Sequence, residues 1–172
     1  MEAAPITLTT VSAEFEVMLS AADAWQRLRD LSVPDHYVQG LSSVEFTTAA
    51  QAGLGASRRV VQGKSLVLDE TVTEWREGEG FTLRLHRGER GPIPPLRQHF
   101  FDYGLVEKDD RVFLHNRMRY EVGLGWLGRL LDVLLIRRVM QKQLRDVTLA
   151  QKLYYESGEP VTAAQLKSAR GR

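Results

Sequence analysis

The beginning of the chain alternates apolar and polar residues and then changes to helical spacing. Across residues 11–19 every second position is apolar, which is typical of a half-buried strand. Residues 20–23, Ser-Ala-Ala-Asp, have the spacing of a capping box that starts a helix. Apolar residues then recur at helical spacing up to Leu31, and the proline at the start of 34–38 suits the first turn of another helix. The pattern predicts a strand followed by two short helices.

Residues 43–122 contain further runs with the alternation of strands. Clusters of glycine and charged residues separate the runs, as in the turns of an antiparallel meander. The longest irregular connection, 87–96, is predicted as a loop or sheet edge, because its prolines cannot donate to a strand ladder. The predicted strands are 44–46, 57–61, 66–75, 81–86, 97–106 and 112–122.

From Gly125 the apolar spacing is helical again and continues almost to Gly158, which is placed as a C-terminal cap. Charged residues, Asp132 among them, are assigned mostly to the other faces of this helix. The apolar segment 124–138, with its flanking arginines, could instead lie on a membrane, but the pattern favours a core helix. Residues 161–172 are predicted to form a polar tail.

The sheet has one apolar face, and the long helix has an apolar stripe of matching length. Burying one against the other predicts a single α+β domain over residues 1–160, a helix-grip fold. In it a curved antiparallel sheet of about seven strands wraps around the long C-terminal helix, and two short helices follow the first strand. The concave space between the two layers is a usual setting for a small-molecule site.

Composition excludes several classes of function. The chain has 172 residues, 43% hydrophobic and 26% charged, and a net charge of +1, which does not indicate nucleic-acid binding. It has no cysteine, and its four histidines lack metal-ligand spacing, so neither a metal nor a cofactor is predicted. We find no secretory signal and no apolar run near the ~20 residues that span a bilayer, so a cytoplasmic location is expected.

Local strings carry a resemblance to a known family. Residues 120–129, Tyr-Glu-Val-Gly-Leu-Gly-Trp-Leu-Gly-Arg, are similar to a Y-x-x-P-x-G-P-L-G-R junction between last strand and helix. With Thr-Glu-Trp at 73–75 and Gly-Pro at 91–92, the chain resembles the START-like, polyketide-cyclase-like (SRPBCC) superfamily over roughly 15–160. The resemblance implies a helix-grip fold whose cavity holds lipids, sterols, polyketides or other hydrophobic molecules. It implies no single reaction, because members range from carriers to cyclases to folding cofactors.

The sequence departs from the family pattern at two places. Gly123 and Trp126 stand where those relatives have prolines, and Arg97 stands where their H-x-H-x-F strand has its first histidine. His99 and Phe101 keep the rest of that strand motif.

His99 is the strongest candidate for a polar group inside the cavity. If residues 107–110 form a four-residue hairpin loop, His99 lies opposite Met118 and Phe101 opposite Asn116, all on one face. A slip of one residue would reverse every side chain. A histidine here can orient a ligand carbonyl or hydroxyl, or transfer a proton. We favour the other interpretation, a core histidine bonded to a neighbour or to water.

Glu70 has two open orientations. Leu68, Glu70 and Val72 alternate as one face of their strand, which would place the carboxylate inside. The opposite phase puts Val67 and Trp75 inward and Glu70 in solvent, and we favour it because a buried carboxylate is costly unless paired.

Arg97 shares the His99 face and could meet an acidic head group at the cavity mouth, although we favour extension of its side chain into water. Trp126 and Tyr37 are predicted to close or line the cavity, with ordinary core packing as the alternative. The whole predicted lining is Phe15, Val17, Tyr37, Phe46, Leu68, Leu83, Leu85, Arg97, His99, Phe101, Asn116, Met118, Trp126, Leu131, Leu134 and Leu135.

Three functions fit this pattern. A carrier or sensor of a hydrophobic small molecule is favoured, because the predicted pocket has few polar groups. An enzyme of the cyclase, aromatase or dehydratase type would use His99 with Glu70 or Asn116, although one strand should keep His99 and Glu70 roughly 10 Å apart. The third is a protein or membrane interaction module, for which peripheral membrane contact is the less favoured form.

Overall fold

The computed structural model describes residues 8–171, which form one antiparallel sheet and four helices. Two 3₁₀ turns, Pro34–His36 and Gly88–Arg90, lie in the connections, and a π-helical turn, Asp132–Ile136, joins α2 to α3. The strands are β1 (Thr9–Val17), β2 (Leu41–Phe46), β3 (Ser57–Gln62), β4 (Leu66–Arg76), β5 (Gly80–His86), β6 (Leu96–Lys108) and β7 (Arg111–Val122). The helices are α1 (Ala21–Leu28), α2 (Gly125–Leu131), α3 (Arg137–Ser157) and α4 (Ala163–Arg170).

The sheet has the strand order β1-β7-β6-β5-β4-β3-β2, so consecutive strands from β2 to β7 are neighbours and β1 pairs with β7. α2, the π turn and α3 form one continuous helical segment, and α3 packs on the sheet mainly against β1 and β7. Leu144, Leu149 and Tyr155 of α3 are buried there. This arrangement confirms the predicted α+β helix-grip fold, with seven strands and a long C-terminal helix.

The hairpin between β6 and β7 differs from the predicted four-residue loop. It turns through Asp109 and Asp110 alone, with φ of 49° and 60°, as a tight two-residue hairpin requires. The register therefore shifts by two residues, and His99 pairs with Tyr120 while Phe101 pairs with Met118. Because side chains alternate with a period of two, an even shift leaves each residue on its predicted face.

A β-bulge in β4 reconciles the two phases predicted for that strand. Leu68 and Val72 are buried and Val67 is 44% exposed, so the first part of β4 turns Glu70 inward. The register then shifts between Val72 and Glu74, and the bulge brings Trp75 back to the inner face. There the Trp75 ring stacks on Phe81 at 5.5 Å between centroids.

The segment from α2 to the start of α3 has the opposite orientation to the predicted core helix. Asp132 is only 4% exposed, whereas Leu134 and Leu135 are each 58% exposed. Gly128 allows the helix to pack closely against the end of β7, because a Cβ atom at this position would lie 1.7 Å from the carbonyl oxygen of Gly123. The helix thus rests on the end of β7 through glycine and the Asp132 carboxylate, and most of its large apolar side chains point away from the protein.

Part of the predicted polar tail forms a helix that packs on the domain. Thr162 and Gln165 form a capping box that starts α4, and Leu166 is 2% exposed. Val161 is also buried, and its N–H donates to the carbonyl of His36 at 2.8 Å. Within residues 8–171 no helix is both long enough and apolar enough to cross a membrane.

Candidate functional site

A cavity of about 580 Å³ lies between the inner face of the sheet and the helical segment. β3 to β7 form its floor, the π turn and α3 form its roof, and α4 closes one side with Leu166. Leu135 and Val139 of the roof and Pro94 of the proline-rich loop line the cavity and are also exposed to solvent. An opening of the cavity therefore lies between the π turn and this loop.

Part of the predicted lining faces this cavity. The alternation in the central strands predicted the correct inner face, and the residues of that face line the cavity. Tyr37 reaches the cavity from the turn that follows Pro34–His36. Glu70, which was predicted to favour solvent, also lines the cavity. The predicted lining residues found at the cavity are Tyr37, Leu68, Leu85, His99, Phe101, Met118 and Leu135.

Five predicted lining residues are on or near the sheet but away from the cavity wall. Phe15 and Val17 belong to β1, which α3 covers, and the Phe15 ring contacts the Arg145 guanidinium. Phe46 lies in the edge strand β2, and Leu83 is 1% exposed within the packed core. Asn116 donates to Gln151 at 2.7 Å and to Thr148 at 3.1 Å, so its amide holds α3 on the sheet.

The remaining four predicted lining residues are exposed. A β-bulge between Leu96 and Gln98 breaks the alternation of β6, so Leu96 rather than Arg97 shares the cavity wall with His99. The Arg97 side chain is 67% exposed and lies 3.9 Å from Glu121. The others lie on the outward face of the helical segment: Trp126, Leu131 and Leu134.

The inward Glu70 is paired with a residue that the sequence analysis missed. Arg58 donates to Glu70 at 2.7 Å, and its side chain is 3% exposed while that of Glu70 is 15% exposed. The guanidinium also donates to the carbonyl of Leu31. The sequence pattern contains a signal for this pair. Arg58 has the same phase as Val60 in β3 and lies directly opposite Glu70 in the β3–β4 hairpin.

Two tyrosines border the Arg58–Glu70 pair. Burial raises the pKa of Tyr37 to about 12, against the opposing effect of the Arg58 charge. Burial also raises the pKa of Tyr103 well above its ordinary value. Both hydroxyls are therefore neutral donors at physiological pH, so the cluster carries one buried ion pair and two neutral hydroxyls beside the apolar wall.

His99 is a second polar group of the cavity wall, which also contains Gln39, Gln62, Gln143, Asp146 and Arg170. Its Nε2 atom is buried and has no hydrogen-bond partner among the described residues. Burial lowers the pKa of the imidazole to about 4, so the ring is neutral at pH 7. β5 separates β6, which carries His99, from β4, which carries Glu70. The two side chains therefore contact a shared ligand more readily than each other.

Because His99 is buried in its neutral form, we expect the free energy of unfolding to fall in acid. The unfolded chain protonates this histidine near pH 6.5 and the folded chain only near pH 4, so folding becomes less favourable as the pH falls through this window. We expect His99→Leu to reduce the acid-induced loss in unfolding free energy between these pH values by about 2–3 kcal/mol. Urea unfolding at a series of pH values measures the difference.

His115→Gln is a matched control for this titration, because His115 lies on the outer face and contacts Glu14 at 2.8 Å. The acid-induced loss that the burial of His99 causes should remain in this variant. A His99→Leu variant whose stability follows the same pH profile as the unsubstituted chain would show that His99 is not held neutral by burial.

Sequence comparison and structural comparison give different results. Neither a family model nor a curated protein matches the sequence. Among solved structures, the di-domain ARO/CYC StfQ from the steffimycin biosynthetic pathway matches with a TM-score of 0.69 and 12% identity, over 88% of this chain and 52% of its own. This chain thus spans about half of StfQ.

Two shorter structures match over almost their whole length. TTHA0849 from Thermus thermophilus has a TM-score of 0.65 and 18% identity, over 87% of this chain and 99% of its own. Ara h 8.0201 has a TM-score of 0.57 and 13% identity, over 87% of this chain and 98% of its own. At such identities the likeness concerns the fold alone. The chain therefore has the helix-grip fold, which is the fold that the resemblance in its sequence implies.

Proposed function

We propose that this chain binds a hydrophobic small molecule in the cavity, as a carrier or sensor. The observation that carries the proposal is a cavity of about 580 Å³ whose wall consists mostly of leucine, valine, methionine and aromatic side chains. This volume lies within the range of about 300–1,000 Å³ found for small-molecule sites. Transfer of an apolar ligand from water into such a space is favourable roughly in proportion to the apolar area that it buries.

Two polar groups of the wall, His99 and Glu70, lie beside its apolar residues and indicate the chemistry of the ligand. The unpartnered Nε2 of His99 can exchange one hydrogen bond with a ligand hydroxyl or carbonyl. The Glu70 carboxylate, already neutralised by Arg58, can accept a second one. A mainly apolar molecule with one or two hydroxyl or carbonyl groups therefore suits the cavity better than an ionised ligand.

An enzyme of the cyclase type is the second candidate, because His99 and Glu70 both line one cavity. StfQ, which has the same fold, is described as an ARO/CYC protein of a biosynthetic pathway. The carrier is favoured for two reasons. Glu70 is held by Arg58 and Asn116 holds α3, so neither is free to share a proton transfer with His99, whose Nε2 has no hydrogen-bond partner among the described residues.

Filling part of the cavity should weaken ligand binding. Leu85→Trp places a larger side chain at a half-buried position of the wall. We expect it to weaken binding of the apolar fluorophore N-phenyl-1-naphthylamine at least about tenfold, because a packed indole leaves less space for the probe. Leu54→Trp is the matched control, since Leu54 is 71% exposed and lies outside the cavity.

Fluorescence titration gives both affinities, and circular dichroism shows whether each variant retains its fold. Equal probe affinity in Leu85→Trp and the unsubstituted chain would contradict binding in this cavity. Incubation with polyketide-like substrates, followed by mass spectrometry, tests the second candidate. A product that forms with the unsubstituted chain but not with His99→Leu would favour the enzyme over the carrier.

A further inference from the structure

Exposed apolar side chains are concentrated in one segment. Of the twelve large hydrophobic residues that are most exposed in residues 8–171, nine lie between 124 and 139. Trp126 is 76% exposed, and Val133 and Leu134 are each 58% exposed. Single exposed apolar residues are ordinary, but a continuous apolar patch on a folded domain marks an interaction surface. We call this segment, residues 124–139, the apolar helix face.

The fold holds the apolar helix face outward by specific contacts. On its inner side, the Asp132 carboxylate accepts hydrogen bonds from Tyr120 at 2.7 Å and from Thr9 at 3.0 Å. Gly128 allows the helix to touch the backbone of Gly123. The acidic residue of this segment is thus turned towards the protein and most apolar residues towards solvent, which is the reverse of a core helix.

Basic residues outnumber acidic ones in and beside the apolar helix face. Between residues 124 and 143 the basic residues are Arg129, Arg137, Arg138 and Lys142, and the acidic residue is Asp132, which is buried. Arg137 is 52% exposed and lies 3.2 Å from Asp132, and Lys142 is 71% exposed and lies 2.9 Å from Asp146. The chain as a whole carries a net charge of only +1, so this face is more basic than the average surface.

The combination of apolar and basic side chains indicates which partner binds the apolar helix face. Two copies of the chain joined through this face would bring their arginines together, which is unfavourable between like charges. An anionic lipid surface offers apolar acyl chains to the leucines, negative head groups to the arginines and an interfacial layer in which tryptophan is favoured. The length and amphipathic character of the segment suit a helix that lies in the plane of the interface.

We propose that the apolar helix face docks this chain onto bilayers that contain anionic phospholipids, with Trp126 inserted at the head-group level. Leu135 and Val139 belong to this face and also line the cavity. Docking therefore places the opening of the cavity against the bilayer, from which an apolar molecule can enter without crossing water. The docking itself does not require an occupied cavity.

Co-sedimentation of the full chain with vesicles tests the proposal. We expect binding to phosphatidylcholine vesicles that contain about 30% phosphatidylglycerol and much weaker binding to phosphatidylcholine alone. Trp126→Ser should lower the partition coefficient on anionic vesicles about tenfold, because it removes the largest inserted side chain. Arg138→Glu should also lower it about tenfold on anionic vesicles, and should have no effect on neutral vesicles.

Leu54→Ser is the matched control, because Leu54 is similarly exposed on a different surface, and it should bind vesicles as the unsubstituted chain does. Light scattering after size exclusion separates this proposal from self-association. The proposal is overturned if anionic vesicles do not bind the chain, or if Trp126→Ser and Arg138→Glu bind them unchanged. It is also overturned if the chain forms a dimer that Trp126→Ser dissociates, since the face would then serve a second copy.

Discussion

Replacing Glu70 with leucine is expected to lower the free energy of unfolding by about 3–5 kcal/mol, as found when one partner of a buried ion pair is removed. The Arg58 guanidinium is 3% exposed and cannot lose its proton at ordinary pH. Without the carboxylate, this charge keeps only the Leu31 carbonyl as its acceptor among the described residues. Chemical denaturation at neutral pH, followed by circular dichroism, measures the loss.

A neighbouring pair in the same two strands provides the control. Arg59 and Asp69 also face each other across β3 and β4, but on the outer face, where Arg59 is 52% exposed. Asp69→Asn should therefore cost less than about 1 kcal/mol. The double variant Arg58→Met with Glu70→Leu should recover most of the stability, because it leaves no unpaired charge. A Glu70→Leu loss no larger than that of Asp69→Asn would contradict the buried pair.

Removal of the Asp132 carboxylate has the second largest expected effect. Tyr120 is fully buried, and its hydroxyl donates to Asp132 at 2.7 Å. Asp132→Ala leaves this hydroxyl without its acceptor and also breaks the bonds from Thr9 and Arg137. We expect a loss of about 2–3 kcal/mol, since hydrogen bonds to a charged group contribute more than neutral ones and an unpaired buried donor is costly. Urea unfolding measures it.

A double-mutant cycle with Tyr120→Phe tests the source of this loss. In the Tyr120→Phe background the buried donor is absent, so Asp132→Ala should cost at least about 1 kcal/mol less than it does alone. Equal costs in the two backgrounds would mean that the carboxylate does not stabilise the protein through Tyr120.

The order of elements followed from periodicity. The alternation of apolar residues in β4 to β7 and the helical spacing after Gly125 predicted the strands, the long helix and their burial against each other. The two-residue error in the β6–β7 register did not alter the site, because His99 and Phe101 kept their face. Side-chain direction has a period of two in strands, so a turn shorter by two residues changes the pairing partners but leaves each side chain on its face.

Departures from regular alternation limited the prediction of the cavity wall. The β-bulge in β6 exchanged Arg97 for Leu96, and the one in β4 allowed Glu70 and Trp75 to share a face. A bulge adds one residue to one strand only, so its position depends on contacts with the neighbouring strands and not on the local pattern.

The sequence by itself determined the fold, because the burial of apolar faces with strand and helix periodicities leaves few arrangements of these elements. Only the tertiary structure decided the two features on which the proposed functions depend. A carboxylate costs too much to bury alone, so Glu70 could turn inward only where the opposite strand supplied Arg58. The leucines of the apolar helix face match a core stripe in spacing, and their outward direction followed from the contacts of Gly128 with Gly123 and of Asp132 with Tyr120.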